Sequence, residues 1–149
     1  TGGRVKRLQN ILDGERFFLT YGDGVADIDL EALLDFHKNN TCVATVTAVH
    51  PASRFGNIRF NENRIEKFAE KSQVDVGWIN GGFMVMEPEI FDYLETDDSV
   101  LESDALEELA RKGLLAGYKH EGFWQCMDTY RDYLYLNELW DQDRASWRV

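Results

Sequence analysis

The sequence predicts an α/β fold with a mixed, mostly parallel sheet, flanked by helices and carrying a β-hairpin at its edge. Two observations lead to this class. Apolar, strand-like runs alternate with helix-like segments between Arg16 and Val49, which is the pattern of a βαβ unit. Beyond Pro51 apolar and polar residues alternate, which is typical of half-exposed antiparallel strands.

Elements of the first half follow from local signals. Val5–Leu12 is a helix candidate, and Arg16–Tyr21 is apolar enough to form a buried strand. Asp29 can cap a helix over Leu30–Lys38, because its short side chain accepts from the free amides of the first turn. The strand Cys42–Val49 then completes a βαβ unit with a right-handed crossover.

Further strands and helices are predicted in the second half from alternation, turn residues and helix caps. They are a hairpin of Asn57–Phe60 and Arg64–Phe68, a strand over Trp78–Met86, helices over Pro88–Tyr93 and Ala105–Lys112, a strand over Leu114–Lys119 and a last helix over Thr129–Trp140. Ser103 and Asp104 are the predicted cap of the second of these helices.

Composition favours one globular domain covering residues 1–149. Hydrophobic residues make up 44% of the chain, and the formal net charge is −11. This charge argues against nucleic acid or an anionic membrane as a partner, because phosphates are bound by clustered Lys and Arg. Cys42 and Cys126 match neither a disulfide framework nor a zinc spacing, which favours a reducing cytoplasm.

Two aspartates are the first candidates for chemistry. Asp23 stands between glycines after an apolar run, where open α/β sheets bind ligands, and Asp128 ends an aromatic turn before the last helix. Such carboxylates could share one divalent metal, since Mg²⁺ prefers a few carboxylates plus phosphate oxygens. The simpler alternatives are a turn residue for Asp23 and a helix N-cap for Asp128.

Three further segments carry weaker signals. Glu70 and Lys71 could bind sugar hydroxyls and a phosphate, although an exposed Glu-Lys pair is common. The glycines Gly81 and Gly82 inside a strand mark a bulge or a close approach to the backbone. Gly56 leaves room for a flat ligand, or simply for a turn.

These segments, taken in order, resemble the successive motifs of the sugar-phosphate nucleotidyltransferases, most narrowly the branch that makes CDP-glucose. The matching segments are Tyr21-Gly22-Asp23-Gly24-Val25, Phe55-Gly56, Phe68-Ala69-Glu70-Lys71, Ile79-Asn80-Gly81-Gly82-Phe83 and Gly122-Phe123-Trp124-Gln125-Cys126-Met127-Asp128-Thr129. The resemblance implies an incomplete Rossmann-like fold and transfer of a cytidylyl group from CTP to glucose 1-phosphate in nucleotide-sugar and polysaccharide biosynthesis.

The resemblance also implies a role for nine residues. Asp23 and Asp128 would bind Mg²⁺, Glu70 the glucose hydroxyls and Lys71 the sugar phosphate, Gly56, Asn80 and Gly81 would line the sugar pocket, and Tyr21 and Gly22 would border the nucleotide. Asp23, Asp128 and Lys71 would be the catalytic residues among them.

One departure from the family pattern limits these expectations. Family members open with a Gly-x-Gly-Thr-Arg loop and a Pro-Lys that grip the nucleotide, and this sequence contains neither. We therefore expect the C-terminal portion of a catalytic domain with little turnover alone, and a homo-oligomer by resemblance. A relative using another sugar or nucleotide, or a non-catalytic sugar-phosphate-binding module, remains the alternative.

Overall fold

An α/β arrangement of short helices around a mixed sheet appears in the computed structural model, which describes residues 1–12, 14–51, 57–69 and 77–148. Its elements are α1 (Gly2–Lys6), α2 (Gln9–Leu12), β1 (Phe17–Thr20), β2 (Gly24–Ala26), α3 (Leu30–Lys38), β3 (Ala44–Val49), β4 (Asn57–Asn61), β5 (Arg64–Ala69), β6 (Ile79–Met86), a 3-10 helix (Pro88–Tyr93), a π-helical segment (Leu101–Leu106), α4 (Glu107–Arg111), β7 (Leu115–Lys119), β8 (Trp124–Cys126) and α5 (Tyr130–Asp141). The predicted fold class is confirmed.

The main sheet has the strand order β1-β6-β3-β7. β1 pairs with β6 in antiparallel register from Phe17 opposite Met86 to Thr20 opposite Phe83. The two strands of the predicted βαβ unit are therefore separated by β6. The prediction that β1 is buried is wrong for Phe18, which is 47% exposed. Residues of β1 alternate between half-buried and exposed, which is the pattern of a strand with one face toward solvent.

Local signals predicted α3 and the two strands of the hairpin correctly, but among the described residues the hairpin forms a two-stranded sheet of its own and not an edge of the main sheet. The Asp29 side chain accepts from the Ala32 amide at 2.9 Å, which confirms the predicted cap. β4 and β5 pair in antiparallel register up to Asn61 opposite Arg64. Glu62 takes a φ of 53° in the turn between them, a left-handed conformation that tight hairpin turns require.

Two helix predictions need correction. The Val5–Leu12 candidate is divided into α1 and α2. The cap predicted at Ser103 and Asp104 is also wrong, because the helical segment already begins at Leu101. Asp104 lies inside it and accepts from the Val100 amide at 2.8 Å, so its carboxylate satisfies a free amide of the first turn from within.

The described residues fall into two compact units. The first comprises Thr1–Gly22, Asp29–Thr47 and Gly82–Lys119, and the second Asp23–Ile28, Ala48–Gly81 and His120–Val149. The single-domain expectation stays a prediction. No helix within the described ranges is both long and apolar enough to cross a membrane.

The hydrophobic core lies in the first unit. It is made by buried side chains of β3 and β6 together with those of α1, the 3-10 helix, the π-helical segment and α4. Its members are Val5, Ala44, Met84, Met86, Ile90, Phe91, Leu94, Leu101, Ala105, Leu106 and Leu109. Burial of this apolar surface provides the main stabilisation of that unit.

Candidate active site

Antiparallel pairing of β2 with β8 brings the two candidate aspartates to the same end of a two-stranded ladder. Gly24 lies opposite Cys126, and Ala26 lies opposite Trp124. The Met127 amide extends the ladder by donating to the carbonyl oxygen of Asp23 at 2.7 Å. Asp23 directly precedes β2 and Asp128 follows Met127, so the backbone holds the two residues as near neighbours despite their distance along the chain. Neither short strand was predicted.

The surroundings of Asp128 settle one of the alternatives. Thr129 is the N-cap of α5, and its side chain and that of Asp132 each accept from the other's backbone amide in a capping box. The alternative prediction, in which Asp128 caps this helix, is therefore wrong. Asp128 instead accepts a hydrogen bond from the Cys126 thiol, with 3.3 Å between Sγ and Oδ2.

Trp124 connects the ladder to the start of β6. Its indole Nε1 donates to the Gly81 carbonyl oxygen at 2.8 Å. This bond fixes the backbone next to the exposed Asn80, another of the three residues predicted to line a sugar pocket. No sequence signal indicates this bond, because a tryptophan beside a phenylalanine does not identify a specific hydrogen-bond acceptor.

A second polar pair braces the opposite end of the ladder. His120 Nε2 lies 3.0 Å from Asp27 Oδ1 and 3.2 Å from the Phe123 carbonyl oxygen. Gly122 lies against this pair, and a Cβ there would approach His120 Cε1 to 2.7 Å and crowd the Asp27 carboxylate. No motif in the sequence indicates that His120 and Asp27 form a pair, and Gly122 is the one sequence signal of crowding at this point.

Tyr21 lies in the first unit and has partners within it. Its hydroxyl donates to Glu102 at 2.6 Å, and its ring lies against Gly82, where a Cβ would come within 2.6 Å of Cδ2. The close approach predicted for the paired glycines is thus made by Tyr21. Burial alone would raise the pKa of Glu102, but hydrogen bonds from Thr1 and Tyr21 outweigh it and hold the pKa below its ordinary value.

Four predicted site residues remain, and the structure describes one of them. Gly22 is exposed, and a Cβ there would meet open space. Gly56, Glu70 and Lys71 lie outside the described residues. The predicted roles of these residues stay predictions.

Asp23 and Asp128 form a donor set that suits a hard divalent ion. Both offer exposed carboxylates at one end of the ladder, and oxygen ligands of this kind bind Mg²⁺ when substrate phosphates complete its shell. In the described part of the chain no group of three or more His, Cys, Asp or Glu side chains could hold a metal. Two carboxylates leave most of the coordination shell of such an ion to other oxygen ligands.

Comparison with protein families decides where the chain belongs. The nucleotidyl transferase family model matches residues 3–142, which is nearly the whole chain. The chain belongs to the nucleotidyl transferase family. The predicted family is therefore confirmed, and the ladder with its two aspartates lies within the matched residues.

Relatives within the family include sugar-phosphate nucleotidyltransferases. The chain is 44% identical over 150 residues to glucose-1-phosphate cytidylyltransferase of Salmonella typhimurium, covering 100% of this chain and 58% of that protein. It is 33% identical to mannose-1-phosphate guanylyltransferase catalytic subunit beta of Dictyostelium discoideum, covering 93% of this chain and 42% of that one. The chain thus spans little more than half the length of the Salmonella typhimurium protein.

Solved structures show the same fold. HddC from Yersinia pseudotuberculosis superposes with a TM-score of 0.69 at 18% identity, covering 94% of this chain and 62% of that one. A UDP-glucose pyrophosphorylase complexed with UDP-glucose gives a TM-score of 0.67 at 19% identity, covering 96% and 62%. The Rossmann-like architecture predicted from the sequence is the architecture of these proteins.

Proposed function

We propose that the chain is part of an enzyme that transfers a cytidylyl group from CTP to glucose 1-phosphate, giving CDP-glucose and pyrophosphate. The observation that carries this proposal is the 44% identity, over the entire chain, to the Salmonella glucose-1-phosphate cytidylyltransferase. The lower identity to the mannose-1-phosphate guanylyltransferase, 33%, favours a cytidylyl and glucose specificity over the guanylyl and mannose one.

The proposed reaction is a direct displacement at phosphorus. A phosphate oxygen of glucose 1-phosphate attacks the α-phosphorus of CTP, and the bond from that phosphorus to the oxygen bridging the α- and β-phosphates breaks. Pyrophosphate carries away the electron pair, and the protein forms no covalent bond. Such a reaction depends on alignment of the two substrates and on neutralisation of their phosphate charges.

Asp23 and Asp128 are proposed to hold Mg²⁺ at the end of the β2–β8 ladder. The ion, when bound, would neutralise the charge on the phosphate oxygens. The proposal is supported by the backbone bond from Met127 to Asp23, which keeps the two carboxylates at one end of the ladder. It is also supported by the capping of α5 through Thr129 and Asp132, since Asp128 is not needed for that task.

We propose that Asn80, Lys71 and Glu70 position the sugar. Trp124 fixes the Gly81 carbonyl and hence the exposed Asn80, which is proposed to face the glucose hydroxyls. Lys71 is proposed to neutralise the sugar phosphate and Glu70 to accept from the sugar, roles that rest on the resemblance of their motif. Gly22, beside Asp23, is proposed to leave space for the nucleotide.

Three further proposals concern turnover, cellular location and oligomeric state. The sequence contains no Gly-x-Gly-Thr-Arg loop, so we propose that this chain alone has little or no turnover. A cytoplasmic location is supported by Cys42 and Cys126, both of which are free thiols. Homo-oligomer formation is proposed from the exposed aromatic surface of α5, where Tyr130 is 74% exposed.

A binding measurement tests the sugar site. Isothermal titration of the chain with glucose 1-phosphate should show binding that Lys71→Ala abolishes, whereas the surface variant Lys38→Ala should bind normally. Equal binding by both variants would favour a module that does not use Lys71. Mannose 1-phosphate in place of the glucose ester measures the sugar preference, and tighter binding of mannose would overturn the proposed substrate.

A pyrophosphate-release assay tests the proposed inactivity. With CTP, glucose 1-phosphate and Mg²⁺, the chain should release pyrophosphate no faster than its Asp128→Asn variant. Turnover at a rate ordinary for an enzyme, roughly 1 per second or more, would overturn the inactivity proposal and support the reaction itself.

A further inference from the structure

A cysteine, a histidine and a glutamate of the first unit lie in the order nucleophile, base and orienting acid, and none of the three belongs to the candidate active site. Cys42 Sγ is 3.6 Å from Nδ1 of His37, and His37 Nε2 is 3.1 Å from Oε1 of Glu87. These residues come from the turn before β3, from the last turn of α3 and from the end of β6. This sequence of groups is the geometry that activates a nucleophile in many unrelated proteins.

Glu87 determines which nitrogen of His37 carries the proton. Burial favours the neutral acid, but hydrogen bonds from Arg16 and His37 outweigh it and hold the pKa of Glu87 below its ordinary value. The Arg16 Nε donates to Oε1 at 2.8 Å. A carboxylate only accepts hydrogen bonds, so His37 must donate through Nε2. In the neutral ring Nδ1 is then an acceptor, and it faces Cys42.

Thr45 completes the polar cluster. Its hydroxyl lies 2.8 Å from Nδ1 of His37 and 3.4 Å from Sγ of Cys42, so the thiol proton can reach the ring directly or through this hydroxyl. Thr47 projects from the same face of β3, because side chains alternate along a strand. Its Oγ1 is fully buried and has no hydrogen-bond partner among the described residues. The Thr47 hydroxyl on this face of β3 can therefore form one further hydrogen bond.

Burial separates the base from solvent while leaving the thiol accessible. The His37 side chain is 1% exposed, and Cys42 is half-buried. Part of the Cys42 residue therefore remains exposed to an external reagent, whereas water has little access to the ring that would take the thiol proton. A thiol in this position differs from Cys126, whose sulfur donates to a carboxylate.

We propose that Cys42 is a site of covalent modification by low-molecular-weight disulfides, with His37 as its base and Glu87 as the group that orients the base. His37 Nδ1 takes the thiol proton, and the Cys42 thiolate attacks one sulfur of the disulfide. A bond forms between Cys42 and that sulfur while the original sulfur–sulfur bond breaks. The other half leaves as a thiolate and takes the proton from His37, so the disulfide is the oxidant and Cys42 is oxidised.

The test compares each cysteine with itself in the folded and the urea-unfolded chain. We would follow reaction with 5,5′-dithiobis(2-nitrobenzoic acid) at pH 7 in the single-thiol variants Cys126→Ser and Cys42→Ser. A neighbouring base favours the attacking thiolate, and after the accompanying loss of nucleophilicity we set the expected gain in rate at about threefold. Cys42 should therefore react about three times faster folded than unfolded, and Cys126 should react more slowly folded.

Two results would overturn the proposal. A half-buried thiol without a base reacts more slowly in the folded chain, so a folded rate for Cys42 below its unfolded rate contradicts it. Within the Cys126→Ser background, Glu87→Gln should remove the acceleration, while Glu89→Gln at an exposed neighbouring position should keep it. Equal rates in these two variants would also contradict it. If Glu87→Gln does not fold, the folded-to-unfolded ratio of Cys42 decides alone.

Discussion

Replacing Gly82 by alanine should destabilise the chain through two separable effects. Gly82 has a φ of 80°, a left-handed conformation in which an L side chain is strained. Its Cβ would also lie 2.6 Å from Cδ2 of Tyr21, well inside van der Waals contact. Gly113 has a φ of 70°, but a Cβ there meets nothing within 4 Å. Gly113→Ala therefore carries the backbone effect without the steric one.

The two variants should differ by a measurable free energy of unfolding. The left-handed conformation costs a non-glycine residue about 1–2 kcal/mol. Forcing Tyr21 away from residue 82 adds about 1–3 kcal/mol, typical of overpacking. We expect Gly113→Ala to lose about 1–2 kcal/mol and Gly82→Ala about 2–5 kcal/mol. For a chain of 149 residues the difference amounts to about 2–12 °C in melting temperature.

Urea unfolding followed by circular dichroism measures both variants on one scale. Gly22→Ala is a third reference, because its Cβ meets open space and its φ is not left-handed; it should stay near the parent. Equal losses of unfolding free energy for Gly82→Ala and Gly113→Ala would show that Tyr21 moves aside without destabilising the chain. The steric reasoning would then be refuted.

Three further variants test other contacts. Thr129→Ala should lower stability by about 1 kcal/mol through loss of the α5 cap, whereas Asp128→Asn should change it by less than about 0.5 kcal/mol, both measured by urea unfolding. Trp124→Phe should cost about 1–3 kcal/mol in the same assay, because it leaves the buried Gly81 carbonyl without its donor. Glu102→Gln should make stability fall less steeply below pH 4.5. The folded-state pKa of Glu102 is lower than its unfolded value of 4.5, so its carboxylate stabilises the fold above pH 4.5, and this stabilisation is lost as pH falls through the folded-state pKa.

Each of these has a matched comparison. A loss of stability with Asp128→Asn as large as with Thr129→Ala would show that Asp128 contributes to capping α5. Unchanged stability of Trp124→Phe would mean that water replaces the indole donor. Glu121→Gln, at an exposed position, should keep the parental acid slope; an identical slope for Glu102→Gln would remove Glu102 as a source of acid sensitivity.

Local chemistry in the sequence predicted most elements. The Asp29 cap, the Asn61-Glu62-Asn63 turn and the stop of α4 near Gly113 depend on residues within a few positions of each other. Such signals are read directly from spacing. The shift of a helix start from Ala105 to Leu101 shows their limit, because the carboxylate of Asp104 could serve as a cap or act from within the first turn.

Contacts between distant parts of the chain could not be predicted in the same way. Three such contacts are the pairing of β1 with β6, the bond from Trp124 to Gly81 and the pair of Asp27 with His120. They join residues 43 to 93 positions apart, and one sequence carries no pairing signal at such separations. The aspartates could be selected as candidates only because their motifs resemble a family.

The bond from the Met127 amide to the Asp23 carbonyl uses backbone atoms alone. Every residue except proline can supply that amide, and the Met127 side chain is 45% exposed. Homologues can therefore vary residue 127 widely while the two carboxylates keep their spacing. Proline is the exception: its appearance at 127 in a related sequence would signal that the spacing had changed, and with it the ion or substrate that the pair can hold.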